Sequence, residues 1–550
     1  MAEGIKKVSK QETTVKKVST SDSETGPLDY TPLKEISFGV QRLRDSFVKE
    51  NKLSSVQFRL NQLRNLYFAI KDNGEAISRA LEKDFYRSPT ETKDMELNVS
   101  LAELVHTMAN LHKWVKKEPV KDVPFSLKNS PVYVERIPLG VVLIITPFNY
   151  PLFLSLSGII GALAAGNSVV MKTSELTPHF SQLFTEIITS ALDPDIYYAV
   201  NGAVPETTEL LNQKFDKIMY TGNNMVGTII AKKAAETLTP VILELGGKSP
   251  GIILDDVKDK DLPTIARRIA WGRFTNAGQT CVAVDYVLVP EKLREKFVKE
   301  LTRVVDEEFF VGLNKDNKSY THIIHERAFK SLYKMLETTS GTIVTGGYKN
   351  ADAATRYIPP LIVDGATWED STMKGEIFGP ILPIVSYANL DRALSEVITR
   401  HDTPLAQYIF TSGSTAPEKN ALVAKIARTI RSGGLMINDT ILHVGLANAP
   451  FGGIGESGYG AYHGWFSFRN FTHERTTIEQ PLWKDITLKS RYPPYSDSKS
   501  NLAEAALLDY GGKVWFGRKG NVEMNGPSTF FSVWTTMVGV ATIGYLFVTS

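Results

Sequence analysis

The stretch Val141-Val142-Leu143-Ile144-Ile145-Thr146 is a continuous apolar run, which predicts a β-strand buried on both faces. After it, apolar strands alternate with segments of helical spacing, a pattern typical of a parallel sheet covered by helices. The fold class is therefore α/β, and such sheets bind ligands beyond the carboxyl ends of their strands. The predicted strands are 141–146, 167–172, 196–200, 217–220 and 241–245, and the helices between them are 152–165, 181–192, 207–213 and 225–236.

Asn149 follows the first of these strands, in a loop between two prolines. Its side-chain amide donates hydrogen bonds, which suits an oxygen that gains negative charge during a reaction. The alternative interpretation is that Asn149 caps the helix that follows.

Lys172 and Glu175 lie at the end of the next strand. Their side chains suit the hydroxyls of an adenosine ribose, and an acidic group there repels a 2′-phosphate, so the pair favours NAD over NADP. The alternative is an ordinary surface ion pair.

Gly222, Asn223 and Gly227 follow the strand 217–220 and lead into a helix. A strand, a glycine turn and a helix start capped by Asn form an anion site through free backbone N–H groups, and a pyrophosphate fits such a site. The alternative is a turn without a ligand.

Glu244 ends a further strand beside Gly246 and Gly247, which leave room for the close approach of a ligand. Apolar surroundings that raise its pKa make such a carboxyl a general base. The alternative is a carboxylate with a structural role.

Cys281 is the only cysteine among the 550 residues. It follows the small and polar approach Gly278-Gln279-Thr280, and a thiolate at such a position is a strong nucleophile. The alternative is a small apolar filler. A single cysteine allows no internal disulfide, which fits a reducing compartment.

Composition excludes other classes of function. The formal net charge of +2, without a basic tract interleaved with aromatics, predicts no nucleic-acid partner. No CxxC or HExxH pattern occurs, so no metal site is predicted. Residues 1–29 are rich in Lys, Glu, Ser and Thr and predict a disordered tail.

Residues 530–548 carry no charge over nineteen positions. A helix of this length reaches about 28 Å, close to the thickness of a hydrocarbon core. Lys513, Arg518 and Lys519 lie upstream, as expected for a membrane tail anchor whose main domain faces the cytosol. The endoplasmic reticulum, the mitochondrial outer membrane and the lipid-droplet surface are the candidate membranes. The alternative is a helix packed in a core or a dimer seam.

Six strings follow one another along the chain: Pro147-Phe148-Asn149, Lys172-Thr173-Ser174-Glu175, Glu244-Leu245-Gly246-Gly247, Gly278-Gln279-Thr280-Cys281, Glu376-Ile377-Phe378-Gly379-Pro380 and Pro450-Phe451-Gly452-Gly453. Their order resembles that of the aldehyde dehydrogenase superfamily, and the resemblance covers about residues 53–480. Four further strings are similar to the class 3 branch with its membrane-anchored fatty aldehyde dehydrogenases: Tyr220-Thr221-Gly222-Asn223, Leu238-Thr239-Pro240-Val241, Gly460-Ala461-Tyr462-His463-Gly464 and Arg491-Tyr492-Pro493-Pro494. One departure is Thr173, where the family usually has Pro.

The resemblance implies a Rossmann-like parallel-sheet cofactor domain, an α/β catalytic domain, a bridging β-hairpin and a C-terminal transmembrane helix. It also implies a homodimer. The expected organisation is a disordered tail (1–29), an NAD-binding domain (30–245) with a bridging strand near 132–137, a catalytic domain (246–445), a return to the cofactor domain with a bridging and dimerisation strand (446–495), an amphipathic helix and linker (496–528), and the anchor (529–550).

The resemblance also assigns roles. Cys281 attacks an aldehyde carbonyl, Asn149 and the Cys281 backbone N–H hold the oxyanion, and hydride passes to NAD, which leaves a thioester. Glu244 then activates the water that releases the acid. The implied cofactor-binding residues are Pro147, Lys172, Glu175, Gly222, Asn223, Gly227, Leu245, Glu376 and Phe378. The candidate substrate residues are Tyr150, Ile441, His443 and Phe451.

A membrane anchor suits a substrate that partitions into lipid, since each methylene favours the bilayer by about 0.8 kcal/mol. Medium- to long-chain aliphatic aldehydes are therefore the expected substrates, and an amphipathic helix at 500–510 would cover the entrance. One alternative is an aromatic aldehyde, such as a hydroxybenzaldehyde in quinone synthesis. An alternative of another class is a non-catalytic membrane scaffold that binds NAD.

Overall fold

The computed structural model describes residues 28–121, 123–124, 127–503, 518 and 522. The described residues form two compact units: the chain up to Trp114 with Pro138–His473, and Val115–Ile137 with the chain from Glu474 onward. The strands are β1 (Glu118–Pro119), β2 (Val132–Pro138), β3 (Val141–Ile145), β4 (Ser168–Lys172), β5 (Tyr197–Val200), β6 (Lys217–Gly222), β7 (Val241–Leu245), β8 (Pro250–Ile253), β9 (Tyr286–Pro290), β10 (Thr342–Ile343), β11 (Leu361–Asp364), β12 (Ile381–Tyr387), β13 (Ala406–Phe410), β14 (Gly434–Ile437), β15 (Gly458–Tyr459) and β16 (Thr472–Ile478).

The α-helices complete the described secondary structure, apart from short 3₁₀ and π-helical turns. They are α1 (Leu33–Lys49), α2 (Val56–Asp72), α3 (Gly74–Phe85), α4 (Pro89–Thr92), α5 (Asn98–Trp114), α6 (Pro151–Ala165), α7 (Pro178–Ala191), α8 (Val204–Asn212), α9 (Asn224–Ala235), α10 (Leu262–Phe274), α11 (Glu291–Arg303), α12 (Glu326–Thr338), α13 (Leu390–His401), α14 (Ala421–Thr429), α15 (Gly464–Asn470) and α16 (Asp497–Ala503).

The first unit contains a six-stranded sheet in the order β15-β7-β6-β3-β4-β5, and only its edge strand β15 is antiparallel. Every residue of β3 is buried, which explains its unbroken apolar sequence. The predicted parallel sheet is confirmed. Strand β4 lies on one side of β3 and β6 on the other, so the direction in which successive strands are added to the sheet reverses at β3. The crevice at such a switch point lies beyond the carboxyl ends of the two central strands.

A second sheet in the same unit has seven strands in the order β10-β11-β12-β9-β8-β13-β14, and only β10 is antiparallel. Its core packs Ile252 and Leu288 against side chains of helices α12, α13 and α14. The loop that carries Cys281 leads directly into β9, one of the inner strands. The nucleophile candidate is therefore fixed at its C-terminal side by a buried strand.

The second unit contains a three-stranded sheet in the order β1-β2-β16. The resemblance implies a bridging hairpin made of a strand near 132–137 and one near 471–478, and the corresponding strands β2 and β16 lie side by side. Within this unit, the Tyr133 hydroxyl donates to Glu479 (2.7 Å) and accepts from Lys117 (2.6 Å). The guanidinium of Arg475 pairs with Glu135 across the two long strands (2.9 Å).

Apolar residues at helical spacing predict a helix in each of the stretches 54–83 and 90–117; in the structure the first is divided, and the second is interrupted by a π-helical turn. Residues 54–83 form α2 and α3, because Asn73 turns its amide back onto the Ala69 carbonyl (2.8 Å) and Gly74 is a poor helix former. Residues 90–117 form α4 and α5, joined by a π-helical turn at Lys93–Leu97.

Both predicted terminal segments, the tail at 1–29 and the anchor at 529–550, lie almost entirely outside the described residues, as does most of the predicted helix 500–510. Within the described part of the chain, no helix has the length and apolar character to span a bilayer.

Candidate active site

Cys281 follows a loop with unusual backbone geometry. Asn276, Ala277 and Gly278 are three successive residues with φ of +55°, +50° and +73°. A Cβ on Gly278 would lie 2.2 Å from the Gly379 carbonyl oxygen, so only glycine fits there. Asn and especially Ala adopt this left-handed region at a cost, which surrounding contacts must offset.

Gln279 connects this loop to Asn149. Its backbone carbonyl accepts hydrogen bonds from the side-chain amides of Asn149 (3.1 Å) and Asn276 (3.0 Å). Helix α6 has Tyr150 at its N-cap position and no side-chain capping bond, so the alternative that Asn149 caps this helix is wrong. The Asn149 amide is instead buried and directed at the nucleophile loop, two residues before Cys281.

The Cys281 side chain is half-buried, and two carboxyl groups lie near enough to influence its charge. Removal from water raises the pKa of the Cys281 thiol to about 12, and the charges of Glu376 and Glu244 add to this rise. The backbone N–H groups of Cys281 and Val282 face the sulfur and act in the opposite direction. The structure therefore brings Cys281, Glu244 and Glu376 together, with the thiol in its neutral form near pH 7.

Glu244 lies at the end of β7, in register with Thr221 of β6 and Gly458 of β15. It is buried, and within the part of the chain that the structure describes neither of its carboxyl oxygens has a hydrogen-bond partner. Burial consequently raises the pKa of Glu244 well above its ordinary value. A buried carboxyl without partners is costly, and this arrangement is typical of a group that exchanges protons.

The predicted substrate residues line the same region. Tyr150 shares a hydrogen bond with Thr280, directly before the cysteine (2.7 Å). The rings of His443 and Phe451 lie 5.8 Å apart, and Phe451 packs on Tyr462 with ring centroids 5.4 Å apart. Ile441 is buried, with its backbone N–H on the hydroxyl of Tyr408. Aromatic rings and an aliphatic side chain thus surround the segment that follows Cys281 with mainly apolar groups.

Lys172 and Glu175 form an ion pair of 2.8 Å at the carboxyl end of β4. The Lys172 side chain is buried, whereas that of Glu175 is one-third exposed. This ion pair is expected both if the two residues bind an adenosine ribose and if they form an ordinary surface pair, so the pair alone does not separate the two interpretations. Its position beside β3 places it at the crevice that the strand order predicts.

Asn223 caps helix α9 through its side-chain oxygen, which accepts the Val226 N–H (2.9 Å). Gly222 closes β6, and a Cβ on Gly227 would lie 2.7 Å from the side chain of Leu245. Gly227 therefore allows α9 to pack closely on β7. The first turn of any α-helix leaves backbone N–H groups without an intrahelical acceptor, so the start of α9 suits an anion.

Glu376 and Phe378 come from the loop before β12. The Glu376 carboxylate accepts the Gly247 N–H and lies so close to Gly246 that a Cβ there would be 2.1 Å from it. Phe378 packs edge-on against Phe148, next to Pro147 at the end of β3 (6.0 Å between centroids). Glu376 thus borders the glycines that follow β7, and Phe378 borders the segment that follows β3. Both residues lie at the crevice on the side away from β4. The donors, the carboxylates and the helix start fit a dinucleotide.

Several residues at this site were not among the predicted ones. Arg87 donates to the Asn149 carbonyl (2.8 Å), Glu91 accepts the Asn276 N–H (3.0 Å), and Tyr408 donates to the Val282 carbonyl. These contacts join segments that are far apart in sequence, so spacing gives no signal for them. Only the string Ser88-Pro89-Thr90-Glu91 is recognisable, as the start of a helix.

Comparisons with known proteins show the family of this chain. The sequence profile of the aldehyde dehydrogenase family matches residues 36–477. The chain is 40% identical to fatty aldehyde dehydrogenase HFD1 of Saccharomyces cerevisiae, over 94% of this chain and 97% of the yeast protein. It is also 40% identical to the dimeric NADP-preferring aldehyde dehydrogenase of Canis lupus familiaris, over 84% of this chain and 98% of the dog protein.

A solved aldehyde dehydrogenase structure has the same fold as this chain. The substrate-bound AldH of Staphylococcus aureus superposes with a TM-score of 0.76 at 34% identity, covering 82% of this chain and 95% of that one. The family profile covers most of the described residues, and the relatives match over nearly their full length. The chain therefore belongs to the aldehyde dehydrogenase family and is an enzyme of that family.

Proposed function

We propose that this enzyme oxidises medium- to long-chain aliphatic aldehydes to carboxylic acids, with NAD as oxidant and Cys281 as nucleophile. The observation that carries the proposal is the buried Glu244 carboxyl, which has no hydrogen-bond partner among the described residues and lies near enough to influence the charge of the only thiol of the chain. Two acids that share an apolar pocket both hold their protons more tightly than in water. Loss of the proton from Cys281 gives a nucleophile, and loss of the proton from Glu244 gives a general base.

In the proposed reaction, the Cys281 thiol loses its proton to solvent, the sulfur forms a bond to the carbonyl carbon, and the carbonyl oxygen gains the negative charge. The Asn149 amide and the Cys281 N–H stabilise that charge. A bound NAD, held by Lys172, Glu175 and Glu376, would supply the hydride acceptor, and loss of hydride from the carbon bonded to the Cys281 sulfur would leave a thioester. Glu244 removes a proton from water, and the resulting hydroxide displaces the sulfur and releases the acid.

The preference for NAD rests on Glu175. Its carboxylate is held by Lys172 where an adenosine ribose would lie, and it would repel a 2′-phosphate. The dog relative is named as NADP-preferring. The assay of this chain therefore compares NAD with NADP directly. Glu376 would hold the second ribose, because its carboxylate borders the two glycines after Glu244.

The aliphatic substrate rests on two features. The pocket walls near Cys281 are apolar and aromatic, and the yeast relative is named a fatty aldehyde dehydrogenase. Residues 529–550 would anchor the enzyme in a membrane with its main domain in the cytosol, either at the endoplasmic reticulum, the mitochondrial outer membrane or a lipid droplet. A homodimer is proposed by analogy with the dimeric dog relative.

An aromatic aldehyde is the second candidate substrate, because Tyr150, Phe451 and Tyr462 offer ring faces for stacking. A panel of aldehydes from hexanal to hexadecanal, together with 4-hydroxybenzaldehyde, separates the two candidates. Each is assayed with NAD and with NADP, on the full chain and on a chain without its last twenty residues.

We expect kcat/KM to rise with aliphatic chain length and to be higher with NAD. Cys281→Ala should abolish the reaction. A higher kcat/KM for the aromatic aldehyde would overturn the aliphatic assignment, and residual turnover in Cys281→Ala would overturn the proposed nucleophile.

A further inference from the structure

The nucleophile loop needs an external support for its backbone. Asn276 and Ala277 are non-glycine residues in the left-handed region, and both are buried. Such conformations persist only where the surroundings determine them. The contacts that hold this run consequently decide where Cys281 lies.

Glu91 supplies one of these contacts from the short helix α4. One of its carboxylate oxygens accepts the backbone N–H of Asn276 (3.0 Å), and the other accepts the hydroxyl of Thr321 (2.8 Å). The carboxylate thus connects the first left-handed residue to the segment at 321–324. That segment also holds Gln279, since its carboxamide donates to the His322 carbonyl (3.0 Å) and accepts the Ile324 N–H (3.0 Å).

The support continues to the oxyanion candidate. The side-chain amide of Asn276 donates to the carbonyls of Asn149 (2.9 Å) and Gln279 (3.0 Å). Arg87 donates to the same Asn149 carbonyl and is paired with the fully buried Glu96 (2.7 Å). A displacement of Asn276 would therefore change both the sulfur position and the direction of the Asn149 amide.

We infer that Glu91 is a positioning residue for the reaction, which acts by fixing the Asn276 backbone and, through it, Cys281 and Asn149. The inference rests on the proposed role of Cys281. Hydrogen bonds to an ionised carboxylate are stronger than neutral ones, so Glu91 is suited to hold a strained backbone. No contact of Glu91 with a substrate is invoked.

The test compares Glu91→Ala, Glu91→Asp and Glu91→Gln in the full chain. Ala removes the acceptor, and Asp keeps the charge but shortens the side chain by one methylene. Gln keeps an oxygen that accepts the Asn276 N–H. We expect kcat to fall by about tenfold to a hundredfold in the Ala variant and less in the Asp variant, because small misplacements of reacting groups have effects of this size. The KM for aldehyde should change little, and Gln should restore most of kcat.

A second readout is the alkylation of Cys281 by iodoacetamide without cofactor or substrate, followed by mass spectrometry. The chain has one thiol, so the signal is unambiguous. A released loop lets water reach the sulfur and lowers the thiol pKa, so alkylation should be several times faster in the Ala and Asp variants at temperatures well below unfolding. A merely structural role of Glu91 would lower the unfolding temperature without this opposite change in kcat and alkylation rate.

Two matched controls complete the design. Thr321→Val removes the partner of the other carboxylate oxygen and should leave kcat within about threefold. Glu75→Ala lies on the neighbouring helix α3 with its side chain exposed and should change nothing.

An unchanged kcat in Glu91→Asp, or an equal loss in Thr321→Val, would overturn the inference. Turnover by Cys281→Ala would instead contradict the proposed nucleophile, while the alkylation rates would still report on the loop.

Discussion

Two buried clusters of ionisable groups lie on the same two segments of this enzyme but differ in how their charges are satisfied. Glu244 and Cys281 form the proposed reactive pair, and no described residue donates a hydrogen bond to either oxygen of Glu244. Lys248 and Asp285, each four residues further along, form an ion pair of 2.5 Å. Arg273 adds a second cation to Asp285 at 2.8 Å.

The two clusters consequently have opposite pKa behaviour. Burial acts against the charged form in both. In the second cluster, Lys248 and Arg273 outweigh burial and lower the pKa of Asp285, whereas nothing offsets burial at Glu244. Charges with a structural role are paired, and the carboxyl left without partners is the one available for proton transfer.

The paired cluster also supports the cofactor side. Lys248 donates to the carbonyls of Thr372 and Gly375 (2.8 Å each), and Asp285 accepts the Ile377 N–H (3.2 Å). These bonds fix the loop that carries Glu376. The structural cluster therefore positions a carboxylate that borders the reactive one.

The largest effect is expected from Glu244→Gln. The amide cannot accept a proton, so kcat should fall by about 10²–10⁴-fold, the usual contribution of a general base. The acyl-enzyme should accumulate, and intact mass spectrometry should detect the acyl group on Cys281. The control is Glu236→Gln, an exposed glutamate on the surface. Normal turnover in Glu244→Gln would remove the contrast between the two clusters.

Asp285→Asn should give the next largest effect, on stability. Two buried cations lose their counter-charge, and breaking a buried pair typically costs about 3–5 kcal/mol of unfolding free energy. Chemical denaturation measures this loss. Asp255→Asn, which removes an exposed pair with Lys292, should cost at most about 1 kcal/mol.

The stability effect should depend on pH. The pKa of Asp285 is lowered in the folded state, so its contribution is present above the ordinary Asp value and is lost as the pH falls through the folded value. The variant and the parent enzyme should therefore converge only in strong acid. Equal effects of Asp285→Asn and Asp255→Asn would show that burial does not separate the two pairs.

The smallest expected effect is a change in the alkylation rate of Cys281 with pH, which tests whether its sulfur lies in the buried environment described above. Because the pKa of Cys281 is raised to about 12 without cofactor, only a small fraction is thiolate at neutral pH, and this fraction rises tenfold for each pH unit. Iodoacetamide alkylation should therefore increase by about tenfold per unit from pH 7 to pH 9. A plateau near pH 8.5, the value of an unperturbed thiol, would contradict the buried environment. Cys281→Ala provides the blank.

The sequence by itself determined the parallel sheet and the order of its strands along the chain. The apolar runs at Val141–Ile145 and Val241–Leu245 are long enough that only burial on both faces accommodates them. It also identified the residues after each strand, because parallel strands bring their carboxyl ends to one edge. Family resemblance then added Glu376 and Phe378, which no local pattern distinguishes.

Only the tertiary structure decided how these residues are held. The roles of Arg87, Glu91 and Tyr408 depend on contacts over 60 to 190 positions of the chain, and such contacts leave no periodicity in the sequence. The raised pKa of Glu244 is likewise not visible in the sequence. A glutamate at the end of a strand gives the same sequence pattern whether or not a hydrogen-bond donor lies beside its carboxyl group. Burial and the absence of a partner are properties of packing, and packing is fixed by the whole chain.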